Sequence, residues 1–190
     1  MLGPEDVNAF WLDEVGPQGW YATDPALDAR IRDRFEGLWE RARDGGLHDW
    51  LVTPRGMLAY LILTDQFPRN MFRGEARAFA TDGIARAEAK RGIDRGFDMK
   101  VAEPERQFFY LPLMHSECLT DQDRCVRLMV TRMAETGAGN LLHAKAHREV
   151  IRRFGRFPYR NEALKRSYSE GERAFVKEGG YGRTLEKLRA

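Results

Sequence analysis

Apolar residues recur along this chain at helical spacing. Between Asp24 and Gly45, the positions Ile31, Phe35, Leu38 and Trp39 follow three- and four-residue steps, the period of one helix face. Asp24 before Pro25 supplies an N-cap and a preset first-turn dihedral, and Asp44-Gly45-Gly46 supplies the stop. Thr53-Pro54 repeats the start and Glu103-Pro104 is a weaker version of it. Thr120 with Asp123 approximates a capping box, and Ser169 with Glu172 completes one. These signals predict helices near 4–14, 25–43, 54–66, 76–91, 104–118, 121–136, 141–154 and 170–178. No useful stretch alternates apolar with polar residues, and no Asn-Gly or Asp-Gly joins two β-branched runs, so a sheet has nowhere to sit. The expectation is an all-α fold: one domain over 1–190 of about eight antiparallel helices, whose tail 181–190 either frays or adds a short helix.

Two predicted helices are apolar on every face where a surface helix would carry a polar stripe. Met57–Leu63 (MLAYLIL) and Phe108–Met114 (FFYLPLM) are therefore expected at the centre. Each ends in a polar cluster: Asp65-Gln66-Phe67-Pro68-Arg69-Asn70 after the first, His115-Ser116-Glu117 after the second. Asp65 continues the Leu58, Leu61, Ile62 face, so its carboxylate starts from the apolar side and needs a cationic partner. Pro68 is expected to push Phe67 out of the helical region, end the helix at about Gln66, and swing Arg69, Asn70 and Arg73 back across its carbonyl end. The device returns in Arg153-Phe154-Gly155-Arg156-Phe157-Pro158-Tyr159-Arg160-Asn161, with one residue inserted between Pro and Arg. Either the two turns face one cavity or each caps its own helix.

The segments DQFPRNMFRG (65–74), RAFATD (77–82), FFYLPLMHSE (108–117), DQ (121–122) and RFGRFPYRN (153–161) resemble a bacterial domain-of-unknown-function family, number 924. The resemblance runs from Phe10-Trp11 to Glu172. It implies a compact tetratricopeptide-like helical fold and no assigned activity. The chain departs from the family pattern at Tyr159, where histidine is usual, and at Lys165, where glycine is usual.

Composition narrows the class of partner. At 43% apolar and 11% aromatic, 190 residues can bury a core without disulfides or metal. A net charge of +2 lacks the concentrated basicity that phosphate-backbone contact requires, so nucleic acid is not the expected partner. No apolar run approaches the roughly 18 residues needed to span a bilayer, the acidic start MLGPEDVNAFWLDE lacks a basic leader, and Cys118 and Cys125 form no Cys-x-x-Cys. A cytoplasmic protein without membrane contact is the expectation. Trp11, Trp20, Trp39 and Trp50 all fall in the first fifty residues and are expected to pack the N-terminal helices. No cofactor is implied, since Gly-x-Gly-x-x-Gly, Walker and Gly-x-Ser-x-Gly elements are lacking. His143 and His147 have metal-pair spacing, but Ala144 stands where a metalloprotease helix carries glutamate and no third ligand is evident.

Three functional readings remain. In the first, Asp65, Arg69, Asn70, Arg73, His115, Glu117, Arg156, Arg160 and Asn161 line a pocket that binds an anionic small molecule or an acidic peptide end, with arginine forks gripping the anion. In the second, His115 or Glu117 acts as general acid or base on the same substrate, as in a hydrolase. In the third, the motifs lock the fold and the partner binds elsewhere.

Overall fold

The structure, a computed structural model, describes residues 2–189. It is helical throughout, and no strand occurs among the described residues. By internal contacts it divides into two compact units, Met1–Pro112 and Leu113–Ala190.

In the first unit the local start signals act as read. Asp24 accepts the Ala26 amide at 2.9 Å to begin the Pro25–Arg43 helix. Thr53 accepts that of Gly56 at 3.0 Å to begin Pro54–Leu61. Every side chain from Met57 to Leu63 is buried, which puts this helix at the unit's centre. Gly92 of the Asp82–Asp94 helix packs so closely over it that an added Cβ would lie 2.2 Å from the Met57 sulfur and 3.0 Å from the Phe109 ring. All four tryptophans are buried, and Phe10, Phe35 and Phe67 interlock with ring centroids 4.9–6.1 Å apart.

Pro68 does not end the second helix. The chain passes from Pro54–Leu61 through a π-helical turn, Ile62–Gln66, into Phe67–Met71, and Phe67 keeps helical dihedrals, φ −59° and ψ −40°. The reason lies in the carbonyl that proline strands. Pro68 has no N–H for the carbonyl four residues back, at Thr64, and the wider turn relieves the crowding there. Thr81 supplies the missing donor: its hydroxyl bonds the Thr64 carbonyl at 2.5 Å while accepting the Trp39 indole N–H at 3.0 Å.

The expected long helix over 104–118 is also absent. Glu105–Phe109 is a 3₁₀ segment and Leu111–Met114 a single helical turn, so FFYLPLM is buried without forming a continuous helix. Pro112 removes a donor from the middle of that run, and burial of its aromatic residues, satisfied in short turns, outweighs the helical pattern. Residues 76–91 likewise split into 3₁₀ Ala76–Phe79 and helix Asp82–Asp94.

In the second unit, Leu119–Arg132 packs on Ala138–Phe154, and the C-terminal Gly180–Arg189 packs on that helix in turn. The tail is therefore helical through Arg189. Helix Leu119–Arg132 has Cys118 as its N-cap residue, ahead of the Thr120 cap read from sequence. Ser116 organises the entry by accepting the Cys118 amide at 3.2 Å and donating to Asp121 at 2.8 Å. Gln122 donates to the Met114 and Ser116 carbonyls at 2.6 and 2.7 Å, satisfying acceptors that a helix end leaves open. Ser169 and Glu172 close the capping box of Glu170–Lys177 as predicted. Val150, Ile151, Phe157 and Phe175 form this unit's core. Among the described residues no helix is long and apolar enough to cross a membrane.

Candidate functional site

Asp65, Arg69, Asn70 and Arg73 lie in the first unit; His115, Glu117, Arg156, Arg160 and Asn161 lie in the second. Within each unit they are gathered into charge-paired lattices.

Asp65 is 2% exposed and paired with Arg69, one helical turn on, at 3.3 Å. The other arm of that guanidinium reaches Asp82 at 2.9 Å. Asp82 is the first residue of its helix, where the backbone dipole already favours a negative charge. Arg69 thus joins the Pro68 turn to the next helix start. A second clasp is built on Asp28: Arg73 grips its carboxylate at 2.5 and 3.0 Å, and the Asn70 amide donates to it at 2.9 Å. Gln66 donates to the Asn70 carbonyl oxygen at 3.3 Å. The carboxylates Asp28 and Asp82 are absent from the residues read off the sequence. Asp28 had a signal, since it shares the Ile31 and Phe35 face; Asp82 closes the RAFATD segment, but the helix read over 76–91 hid its place at a helix start.

In the second unit Glu117 sits at the centre. Arg166 meets both its oxygens, at 2.8 and 3.0 Å, and the Phe157 amide donates to it at 2.8 Å. The same guanidinium donates to the Asn161 side-chain oxygen at 2.9 Å and to the Phe157 carbonyl at 3.1 Å. One arginine therefore ties Glu117 to both sides of the second Phe-Pro turn. Arg166 was not among the candidates, because nothing local marks which arginine will reach back 49 residues. Arg156 pairs with Glu172 through two bonds, at 2.5 and 2.7 Å. Arg160 donates to the His115 carbonyl at 3.0 Å, and its guanidinium lies 4.5 Å from the Phe157 ring centroid. Lys165 takes a left-handed backbone, φ 52°, which glycine adopts without strain.

A histidine and tyrosine cluster adjoins this turn. The His147 ring packs on Phe157 and Tyr181, with centroids 5.4 and 4.7 Å away, and lies 6.2 Å from the His115 ring. Its Nδ1 is 2.9 Å from the His143 carbonyl, a contact that needs the proton on that nitrogen. Tyr181 Oη lies 2.6 Å from Nδ1 of His143, and Tyr159 stacks on Phe157 at 5.3 Å. The His143 and His147 rings are engaged with neighbours, and among the described residues no group of three His, Cys, Asp or Glu is placed to hold a metal.

The electrostatics follow from these partners. Burial would raise the Glu117 carboxyl, but Arg166 and the Phe157 amide outweigh it and hold the group below its ordinary value. The hydrogen bonds from Arg156, assisted by the Ser169 amide, pull Glu172 down to about 2. Burial, reinforced by the nearby charge of His115 and Arg160, lowers His147 to about 3. A base whose folded value is depressed contributes stability that is full above its ordinary pKa and is lost as pH falls. For His147 that loss spans from 6.5 down to about 3. For Glu172 it spans from 4.5 down to about 2. Burial, with the charge of Arg189, also holds His143 below its ordinary 6.5. Denaturant midpoints measured across acidic pH should therefore begin to fall near 6.5, and His147→Gln should make that fall shallower while His143 keeps its share. An unchanged slope between pH 6.5 and the carboxylate range would remove His147 as a cause.

Chemically, these arrangements hold rather than react. Arg69, Arg73, Arg156 and Arg166 are each committed to carboxylates, and both Glu117 oxygens are occupied. A family model described as a bacterial protein of unknown function (DUF924) matches residues 7–180. A solved structure of a protein of unknown function from Agrobacterium tumefaciens is similar to this chain, with TM-score 0.85 and 40% sequence identity over 92% of this chain and 97% of that one. No curated protein matches the chain.

Proposed function

The chain belongs to the bacterial DUF924 family, whose function is unknown, and we propose that this protein is a cytoplasmic binding module in which the Phe-Pro motifs act as charge-clasped locks on the fold while the partner is met elsewhere. The observation that carries this reading is the commitment of the motif arginines. A guanidinium used to grip a ligand anion needs its fork open, yet Arg69 holds Asp65 and Asp82, Arg73 holds Asp28, and Arg156 holds Glu172. For Glu117, one of the two residues the enzyme reading names, the same ground removes support. A general acid needs a proton to give, whereas Glu117 is stabilised as the carboxylate; acting as a base would require it to leave Arg166.

The test is a thermal-shift screen of the full chain against acidic metabolites and phosphates, followed by analysis of each hit for conversion. A ligand binding only the native state at a hundred times its Kd stabilises by about 2.7 kcal/mol, or roughly 5–10 °C at this size. Arg73→Lys and Arg160→Lys keep the charge but lose the planar fork, and each should retain that shift. Loss of the shift in a folded variant, or turnover of a hit by the wild-type chain, would overturn the proposal.

A further inference from the structure

Away from the motifs, the second unit carries a cleft of about 390 Å³ between helix Ala138–Phe154, Phe175 and the C-terminal helix Gly180–Arg189. That volume falls in the range of small-molecule sites, which run from about 300 to 1,000 Å³. Its charges are arranged unlike those of the motifs. On one wall Glu149 neutralises Arg152 through two 2.8 Å bonds. Arg153, Arg183 and Lys187 also line the cleft, and none of the three donates a side-chain hydrogen bond or forms an ion pair among the described residues. Arg153 is held instead by ring faces, 4.9 Å from Phe154 and 5.5 Å from Phe175. Arg183 and Lys187 are four residues apart on one helix and both line the cleft, whereas Glu186, the acidic residue between them, is not part of its lining. Against these three cations the lining offers one further carboxylate, Glu178, which leaves an excess of two positive charges (3 − 1 = 2). Phe175 and Leu188 add apolar surface to the same cleft.

The geometry points to this cleft as a binding site for a small phosphate monoester carrying an apolar or aromatic body. A phosphate monoester bears about −1.5 to −2 charges at neutral pH and offers three strong acceptor oxygens. That matches the excess charge and the three donors, one from Ala138–Phe154 and two from Gly180–Arg189. Guanidinium forks suit phosphate oxygens and the lysine adds a point charge. The ester's body would lie on Phe175 and Leu188. This inference rests on the reading that ligand contact lies outside the motif residues, and it names the place and the ligand class which that reading leaves open.

The test uses the full chain and titrates phenyl phosphate, inorganic phosphate, benzoate and an acidic peptide by calorimetry at low salt. Phenyl phosphate should bind tightest, and Arg183→Glu/Lys187→Glu should weaken it by roughly tenfold or more without lowering the melting temperature, since both side chains are exposed. Leu188→Ser should weaken phenyl phosphate while leaving inorganic phosphate unchanged. Equal binding by phenyl phosphate and inorganic phosphate would remove the apolar half of the site. Tighter binding of the peptide, undiminished phenyl phosphate binding in the charge-reversed double variant, or no binding of phenyl phosphate into the millimolar range would each overturn the assignment. Arg160→Gln, measured alongside, separates the two proposals. If it and the double variant both bind normally, only the cleft fails; if Arg160→Gln alone loses phenyl phosphate, the motif-lock reading fails as well.

Discussion

Replacing Arg166 by alanine should destabilise the protein by about 3–5 kcal/mol, the range for stranding one partner of a buried ion pair, and lower its melting temperature by roughly 6–20 °C. Arg166 reaches Glu117, the Phe157 carbonyl and the Asn161 side chain together. Its removal leaves Glu117 desolvated with a single remaining backbone donor at 2.8 Å. The two side chains keep 23% and 29% exposure, so the lower half of the energy range is expected. Glu117→Gln should cost less, because the amide still accepts from the Phe157 amide, and Glu117→Gln/Arg166→Met should recover part of the loss by removing both charges. Equilibrium denaturation of the three variants measures this ordering. A shift for Arg166→Ala below about 2 °C would mean that the clasp does not hold the second Phe-Pro turn.

Arg69→Ala should be the most damaging change in the first unit, larger in effect than Asp65→Asn. Arg69 is 16% exposed and bridges two carboxylates, one of them, Asp65, only 3% exposed in its side chain. Truncation takes the guanidinium from both at once, at about 3–5 kcal/mol, whereas Asp65→Asn leaves Arg69 its 2.9 Å contact with Asp82 and should fall at or below the lower end of that range. Hydrogen exchange should place the loss in Phe67–Met71 and Asp82–Asp94, the helices that carry Arg69 and Asp82. If Asp65→Asn proved equal to or worse than Arg69→Ala, the bridging role of Arg69 would be wrong.

The carboxylate candidates divide by what their signals were made of. Asp65 was legible because a charge on the apolar face of an apolar helix demands a cationic partner, but that the partner is Arg69, one helical turn on, follows from the helical path continuing past Pro68, where the sequence reading ended it. Glu117 was legible as a polar residue closing a buried run, but its partner was not, since Arg166 is one of many arginines and only the folded chain carries it across 49 intervening steps. The single-pocket reading treated Arg73 and Arg156 as open forks. Asp28 and Glu172, at separations of 45 and 16 residues, close them.

What the sequence determined by itself was whatever its own neighbours could enforce: the all-α character, the bounds of Pro25–Arg43, and the Thr53 and Ser169 caps, each made by a side chain bonding a backbone group two or three residues away. Family membership was legible too, because the motif strings are long and contiguous. Tertiary structure alone decided the fate of the prolines and the charges. Pro68 stays within a helical path because Thr81, 17 residues on, bonds the carbonyl that proline strands. FFYLPLM, apolar on all sides, breaks into short turns instead of the helix its composition suggested. Backbone propensities differ by about a kilocalorie per mole or less for most residues, so a distant hydroxyl or guanidinium that satisfies a buried polar group is enough to overrule them.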